Sequence, residues 1–246
     1  MKLNFFSPTV FLRWSKNLIP VGLIVTTVLL GIGLYWSLFL SPDDYQQGSA
    51  VKIMYVHVPA AWFSLAAYAV LSTMSALHLI FRAPMASLLG KASAITGTAF
   101  TAVCLITGSL WGKPMWGAYW VWDARLTSMA ILFFFYVGYL GLYYGFDNRE
   151  HASKMASILG LVGAFNLPIV KWSVEFWSTL HQKTSFMSLS APSIHSSMLT
   201  PLLLMAAAFA SYYGTLLLIL VRRDLLKQKH QRQIQTDILN HIREAA

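Results

Sequence analysis

Six separate stretches, each long and apolar enough to cross a lipid bilayer, constrain this chain more than any other feature of its sequence. A helix rises about 1.5 Å per residue, so roughly 20 apolar residues span a hydrocarbon core about 30 Å thick. The stretches are residues 18–40, 60–81, 92–110, 126–146, 152–170 and 198–221. The fifth is interrupted by "FNLP", which places Pro168 near its end. Only 11% of the 246 residues are charged, against roughly 25% in soluble proteins, and mean hydropathy is +0.57. The prediction is an all-α, polytopic membrane protein with six transmembrane helices, forming one integral-membrane domain over residues 1–246. The first stretch is too long for a secretory leader and no A-x-A-like site follows, so it reads as a retained helix.

Alternating the loops around six spans puts both termini on one side. That side holds 13 of the 18 Lys and Arg residues, the other 5, so the positive-inside rule makes the termini cytoplasmic. The net charge of +9 is thereby accounted for by topology, without nucleic acid as a partner. Residues 222–246 form a basic cytoplasmic tail able to touch anionic lipid. The lone cysteine, Cys104, excludes a disulfide framework, a CxxC redox pair and a C-x-x-C-H haem attachment site. With no G-x-x-x-x-G-K-[ST] run, the chain is not expected to hydrolyse ATP or act as an enzyme.

Eight of nine tryptophans fall at the outer ends of the spans or in the outer loops. An aromatic belt is two-sided, so a one-sided excess asks for a further cause. The densest cluster is "WGKPMWGAYWVWDARLTS", residues 111–128, between the third and fourth spans. If residues 114–124 are helical, Trp116, Trp120 and Asp123 share a face; if they are extended, Trp120 and Trp122 share a side. Either geometry makes an aromatic shelf suited to a flat, conjugated partner. Three histidines, His57, His181 and His195, lie on the same outer side. His57 just precedes the second span, and His181 sits 124 residues later in the outer loop before the sixth. Two imidazoles from separate loops beside an indole shelf meet the needs of a haem iron, which takes axial ligands from opposite faces. Lys113, Arg125, Lys171 and Lys183 are available for the propionates, and Arg125 is the better candidate because its planar fork can take a carboxylate bidentately.

The tryptophan segment, with "HVPAAW" before it and "EFWSTLHQ" after it, resembles the haem exporter protein C family of the system I cytochrome c maturation machinery. The resemblance covers nearly the whole chain and places it among haem-handling proteins that share a "WWD" segment. It implies a protein of the bacterial inner membrane that presents haem b on the periplasmic face and delivers it to a periplasmic haem chaperone. The implied partners are an ATP-binding-cassette ATPase, its membrane subunit and a small single-span membrane subunit. Carried over by motif, the axial ligands are His57 and His181, and the haem-binding set adds Trp111, Trp116, Trp120, Trp122, Asp123 and Arg125. His195 matches no motif of the family. The competing readings are a b-type haem electron carrier, which would bury its histidines in the bundle, and an ion-coupled transporter, which would need ionisable residues at mid-membrane depth.

Overall fold

The computed structural model describes residues 7–177, 179–181 and 194–245. Helix α1 (Pro8–Tyr35) ends in a π turn at Trp36–Leu40, and a 3-10 turn at Ser49–Ile53 leads into α2 (Met54–Phe81). Helices α3 (Pro84–Trp116) and α4 (Ala124–Tyr144) follow. The fifth span is two helices, α5 (Arg149–Val162) and α6 (Asn166–Phe176), joined by a 3-10 turn at Gly163–Phe165. Helix α7 (Ser196–Ala245) closes the chain. Six helical spans result that are long and apolar enough to cross a membrane. Helix is the form that satisfies every backbone polar group within its own segment, as hydrocarbon demands.

Each span is present, but most boundaries differ from those the hydropathy gave. The second begins at Met54 rather than residue 60, the third covers Pro84–Trp116 rather than 92–110, and the last continues to Ala245. Hydropathy marks where side chains meet hydrocarbon, whereas backbone hydrogen bonding continues until a residue stops it. The stops are identifiable. Arg82 turns into the left-handed region (φ 49°), and Pro84 then opens α3. Gly117 (φ 77°) ends α3, Asp123 caps α4, and Asn148 caps α5 by accepting from the Glu150 and His151 amides. Pro168 does not end the fifth span; the 3-10 turn breaks the helix first, so Pro168 falls in the first turn of α6, where its missing N–H does no harm.

The core is made by α2, α3, α4 and α5, with α7 packed on α2 and α3 and α1 lying outside against α7. Small residues let large rings close the gaps: Gly97 of α3 lies under the Tyr136 ring, and Gly163 meets Tyr68. Hydroxyls find partners across the helices, Tyr136 donating to the Ser64 carbonyl (2.7 Å) and Tyr213 pairing with Ser93 (2.5 Å). Lys91, expected in an inner loop, is instead buried in α3 and paired with Asp224 of α7. Arg222 donates to the Leu12 carbonyl (2.5 Å), which gathers the start of α1 and the extension of α7 at one end of the bundle. At the opposite end Trp111 Nε1 donates to Gln47 (2.9 Å), bringing the tryptophan segment against the α1–α2 connection.

A methyl group at Gly97 would collide with a buried tyrosine that has nowhere to move. Gly97→Ala should destabilise the bundle by about 1–3 kcal/mol, the usual range for overpacking. Gly31→Ala, with open space around it, should be neutral or slightly stabilising. Thermal unfolding of the detergent-purified variants checks both; equal midpoints for the two would contradict this packing.

Candidate haem site

At the tryptophan end a cavity of about 280 Å³ opens between α2, α3, α4 and α6. His57, Trp111, Trp120, Arg125, Lys171 and His181 line it together with apolar side chains of α2 and α3. The two histidines separated by 124 positions are therefore brought to one hollow. His57 lies in the first turn of α2 rather than in the preceding loop, because the 3-10 turn at Ser49–Ile53 feeds directly into the helix. The arrangement is accordingly a recess rather than an open shelf.

The ring of His57 is fixed from behind. Its Nδ1 lies 3.1 Å from the Cys104 carbonyl and 3.1 Å from Thr107 Oγ1, and the Thr107 hydroxyl donates to the Val103 carbonyl (2.6 Å). A carbonyl can only accept, so Nδ1 carries the proton and Nε2 keeps its lone pair for coordination. Gly108 makes the approach possible, since a Cβ there would sit 3.0 Å from His57 Cε1.

His181 follows α6 and lies among aromatic rings, 5.1 Å edge-on to Trp116 and 6.4 Å from Trp111 between centroids. Its Nδ1 is 3.7 Å from Asp123 Oδ2, within ion-pair reach but beyond a hydrogen bond. Burial, helped by the charge of Arg125, lowers its pKa from the ordinary imidazole value to about 4, against the opposing pull of Asp123. At neutral pH it is an uncharged imidazole with a lone pair to give.

The WWD segment divides into three parts. Trp111 and Trp116 belong to the last turns of α3, residues 118–123 are non-helical, and Asp123 is the N-cap of α4, accepting from the Leu126 amide (2.8 Å). Neither regular alternative holds for Trp120 and Trp122: the Asp123 amide donates to the Val121 carbonyl (2.9 Å), a tight turn centred on Trp122, and the two rings meet at 5.4 Å. They face differently. Trp120 lines the cavity, while Trp122 points outward, 79% exposed, and is not brought to the cavity wall. Arg125, in the first turn of α4, donates to Ser173 Oγ (3.2 Å) and the Lys171 carbonyl (3.4 Å), which ties α4 to α6 and holds two cations at the cavity. Lys113 turns away to the Gly117 carbonyl (3.1 Å), and Lys183 lies outside the described residues. His195 is exposed, and its Nδ1 accepts from the Ser197 amide (3.3 Å) at the start of α7, a capping role apart from the cavity.

These residues fit a flat iron porphyrin. Two neutral imidazoles reach one apolar hollow, with Arg125 and Lys171 on its wall as cations of the kind that pair with carboxylates. Three buried polar atoms there, Trp120 Nε1, Asp123 Oδ2 and His181 Nδ1, lack a hydrogen-bond partner among the described residues. Buried polar groups are normally paired, and such a concentration of exceptions is what a ligand site leaves behind. Sequence reasoning missed Gln47, Thr107 and Gly108, placed at or behind the cavity wall, and Trp62, counted only among the outer tryptophans and in "HVPAAW", lines it too. Gln47, Thr107 and Gly108 carry no signal of their own, since each acts by holding or making room for another residue.

A family model described as "Heme exporter protein C" matches residues 1–236. The chain belongs to that family. It is 48% identical over 227 residues to the heme exporter protein C of Bradyrhizobium diazoefficiens, covering 92% of this chain and 86% of that one. It is 42% identical over 221 residues to the Escherichia coli protein of the same name, covering 90% and 89%. A putative cytochrome c biosynthesis ccmC-like mitochondrial protein of Marchantia polymorpha is 44% identical over 207 residues, covering 84% and 88%. Membership in the haem exporter protein C family agrees with the six-helix architecture.

Asp123 both caps α4 and faces His181, and the two roles separate by substitution. Asp123→Ala should lower stability by about 1 kcal/mol through the lost cap. Asp123→Asn should restore the cap while still removing the charge beside His181. Thermal melting of the two purified variants checks this; an Asn variant as unstable as the Ala variant would show that the cap is not the stabilising element.

Proposed function

We propose that this chain binds haem b between His57 and His181 and delivers it to a periplasmic haem chaperone during c-type cytochrome biogenesis. The single observation that carries the reading is the meeting of two neutral imidazoles, distant in sequence, on one apolar cavity that also holds two cations. The names of the family relatives, heme exporter protein C, point to the same cargo. His57 and His181 supply the axial ligands, Arg125 and Lys171 take the propionates, and Trp111, Trp116 and Trp120 pack around the ring and His181. The chain is an accessory subunit of the bacterial inner membrane, working with an ATP-binding-cassette ATPase, its membrane subunit and a small single-span subunit. Its charge asymmetry supports cytoplasmic termini and a periplasmic site. Trp122, exposed beside the cavity, is placed to meet the chaperone rather than the ring.

A b-type electron carrier would hold both histidines deep in the bundle. His57 approaches that description, but His181 lies beyond the end of α6, outside the spans. One ligand fixed on a helix and one past a helix end suit a site that must also release its cargo.

His57→Ala and His181→Ala should each shift the haem absorption spectrum of the purified protein and reduce transfer to the chaperone by at least about tenfold, the effect of 1.4 kcal/mol. His195→Ala should leave both unchanged. Trp120→Ala should weaken haem retention, and Trp122→Ala should spare retention while slowing transfer. Spectra of the five variants with a transfer assay check the set; a normal spectrum without both His57 and His181 would sink the reading, as would tightly held, redox-active haem that never transfers.

A further inference from the structure

A second hollow lies beside the cavity, a groove of about 440 Å³ between α2 and α6. Leu65 and Lys171 line both, so the two hollows share a wall made of these side chains. The groove exists because the fifth span stays on α4 along its length but parts from α2 after its break. Helix α5 lies close on α2, with Gly160 against Leu71 and Ser75 and its carbonyl accepting from Ser72 (3.0 Å). After the 3-10 turn, α6 follows α4: Asn166 donates to the Ser128 carbonyl (2.8 Å), and Arg125 of α4 bonds Ser173 and the Lys171 carbonyl. Helix α2 is left facing α6 with Leu65 and the small side chains of Ala66 and Ala69, the two alanines exposed. Nearby Phe165 and Ile169 are also exposed apolar residues, so in a membrane the groove opens sideways into lipid rather than into water.

We infer that this groove is a lateral portal through which haem passes between the bilayer and the histidine cavity, edge first, past Leu65 and Lys171. The inference rests on the haem-binding reading above and adds the route. Haem has broad apolar faces and anionic carboxylates along one edge. The groove matches it with apolar walls from Leu167, Pro168 and the two alanines, and with a cation only where it joins the cavity. A lipid acyl chain would fit the walls alone, and a helix of another subunit would need no continuity with the cavity.

A portal sets rates and leaves equilibrium affinity alone, which makes the test specific. The full chain is reconstituted in lipid nanodiscs preloaded with haem, and association and dissociation are followed by haem absorbance for the wild type, Ala69→Phe and Ala66→Leu. Both substitutions are at exposed, lipid-facing positions outside the cavity. They should slow association and dissociation together by about fivefold or more, with Kd unchanged. Ala69→Cys, blocked after purification by a bulky disulfide-forming reagent and unblocked by reductant, should show the same slowing reversibly in a chain already folded; Cys104 is buried and does not compete. Unchanged rates in a wild type that binds haem, including with lipid or a partner helix occupying the groove, would overturn the portal alone. Altered Kd with unaltered association would overturn it too, making the groove part of the binding wall. A wild type that binds no haem would bring down the site and the portal together.

Discussion

Lipid withdraws the force that holds soluble cores together, since a leucine gains little by exchanging hydrocarbon for protein. Close fit and interhelical hydrogen bonds must hold the bundle instead, and everything at the site depends on them. Gly97 beneath Tyr136 and Gly163 against Tyr68 draw α3 to α4 and α5 to α2 at distances no larger residue would allow. Tyr136 then spends its hydroxyl on the Ser64 carbonyl of α2, so one ring links three helices. The same device recurs one level up, where Gly108 admits the ring of His57 to the flank of α3. His57 is thus positioned by helix packing, and the carbonyl it meets decides which nitrogen carries the proton.

The two imidazoles are held in contrasting ways. His57 is in a helix, bonded to a backbone carbonyl with a threonine hydroxyl beside it. His181 rests on ring contacts and on a carboxylate too distant for a hydrogen bond. Rotating His57 would break a hydrogen bond inside the bundle and leave its donor unpaired, a cost of about 1–3 kcal/mol, whereas moving His181 breaks no side-chain hydrogen bond seen among the described residues. On the proposed reading, His57 is the fixed ligand and His181 the one that lets go.

Much of this was legible in the sequence, in proportion to how far each feature declares itself locally. Six apolar runs announce six spans, and two outer histidines beside an indole cluster announce a shared site. The ends of the helices were not legible, because their stops are a left-handed Arg82, a left-handed Gly117 and a cap at Asp123, none of which alters hydropathy. Asp123 did carry the signal of a cap, a carboxylate just before an apolar run, but its place in the tryptophan segment drew attention to the site instead. Lys91 read as a loop cation because its partner, Asp224, lies 133 positions away and pairing cannot be seen from one side. Trp120 and Trp122 are alike in sequence, and the turn closed by the Asp123 amide on the Val121 carbonyl, which no hydropathy pattern announces, accompanies one ring facing inward and the other out.

The placement of charge then separates the two ends of the molecule by task. At the end gathered around Arg222, the buried Lys91 is answered by Asp224, which Arg223 also contacts (3.1 Å). Such a pair adds little net stability, but removing either partner would strand a charge, so it pins α7 to α3. At the tryptophan end, Arg125 and Lys171 stand with Asp123 and Glu175 as nearby carboxylates, and Asp123 is engaged in capping α4 and facing His181. Arg125 spends its hydrogen bonds on a hydroxyl and a carbonyl, and no direct salt bridge to it is found among the described residues. One end is therefore held together by a buried ion pair, while the other sets Arg125 and Lys171 on the wall of an apolar recess. On the proposed reading, a planar, iron-bearing dicarboxylate brings apolar faces to the recess walls, a Lewis acid to the two imidazoles and its carboxylates to Arg125 and Lys171.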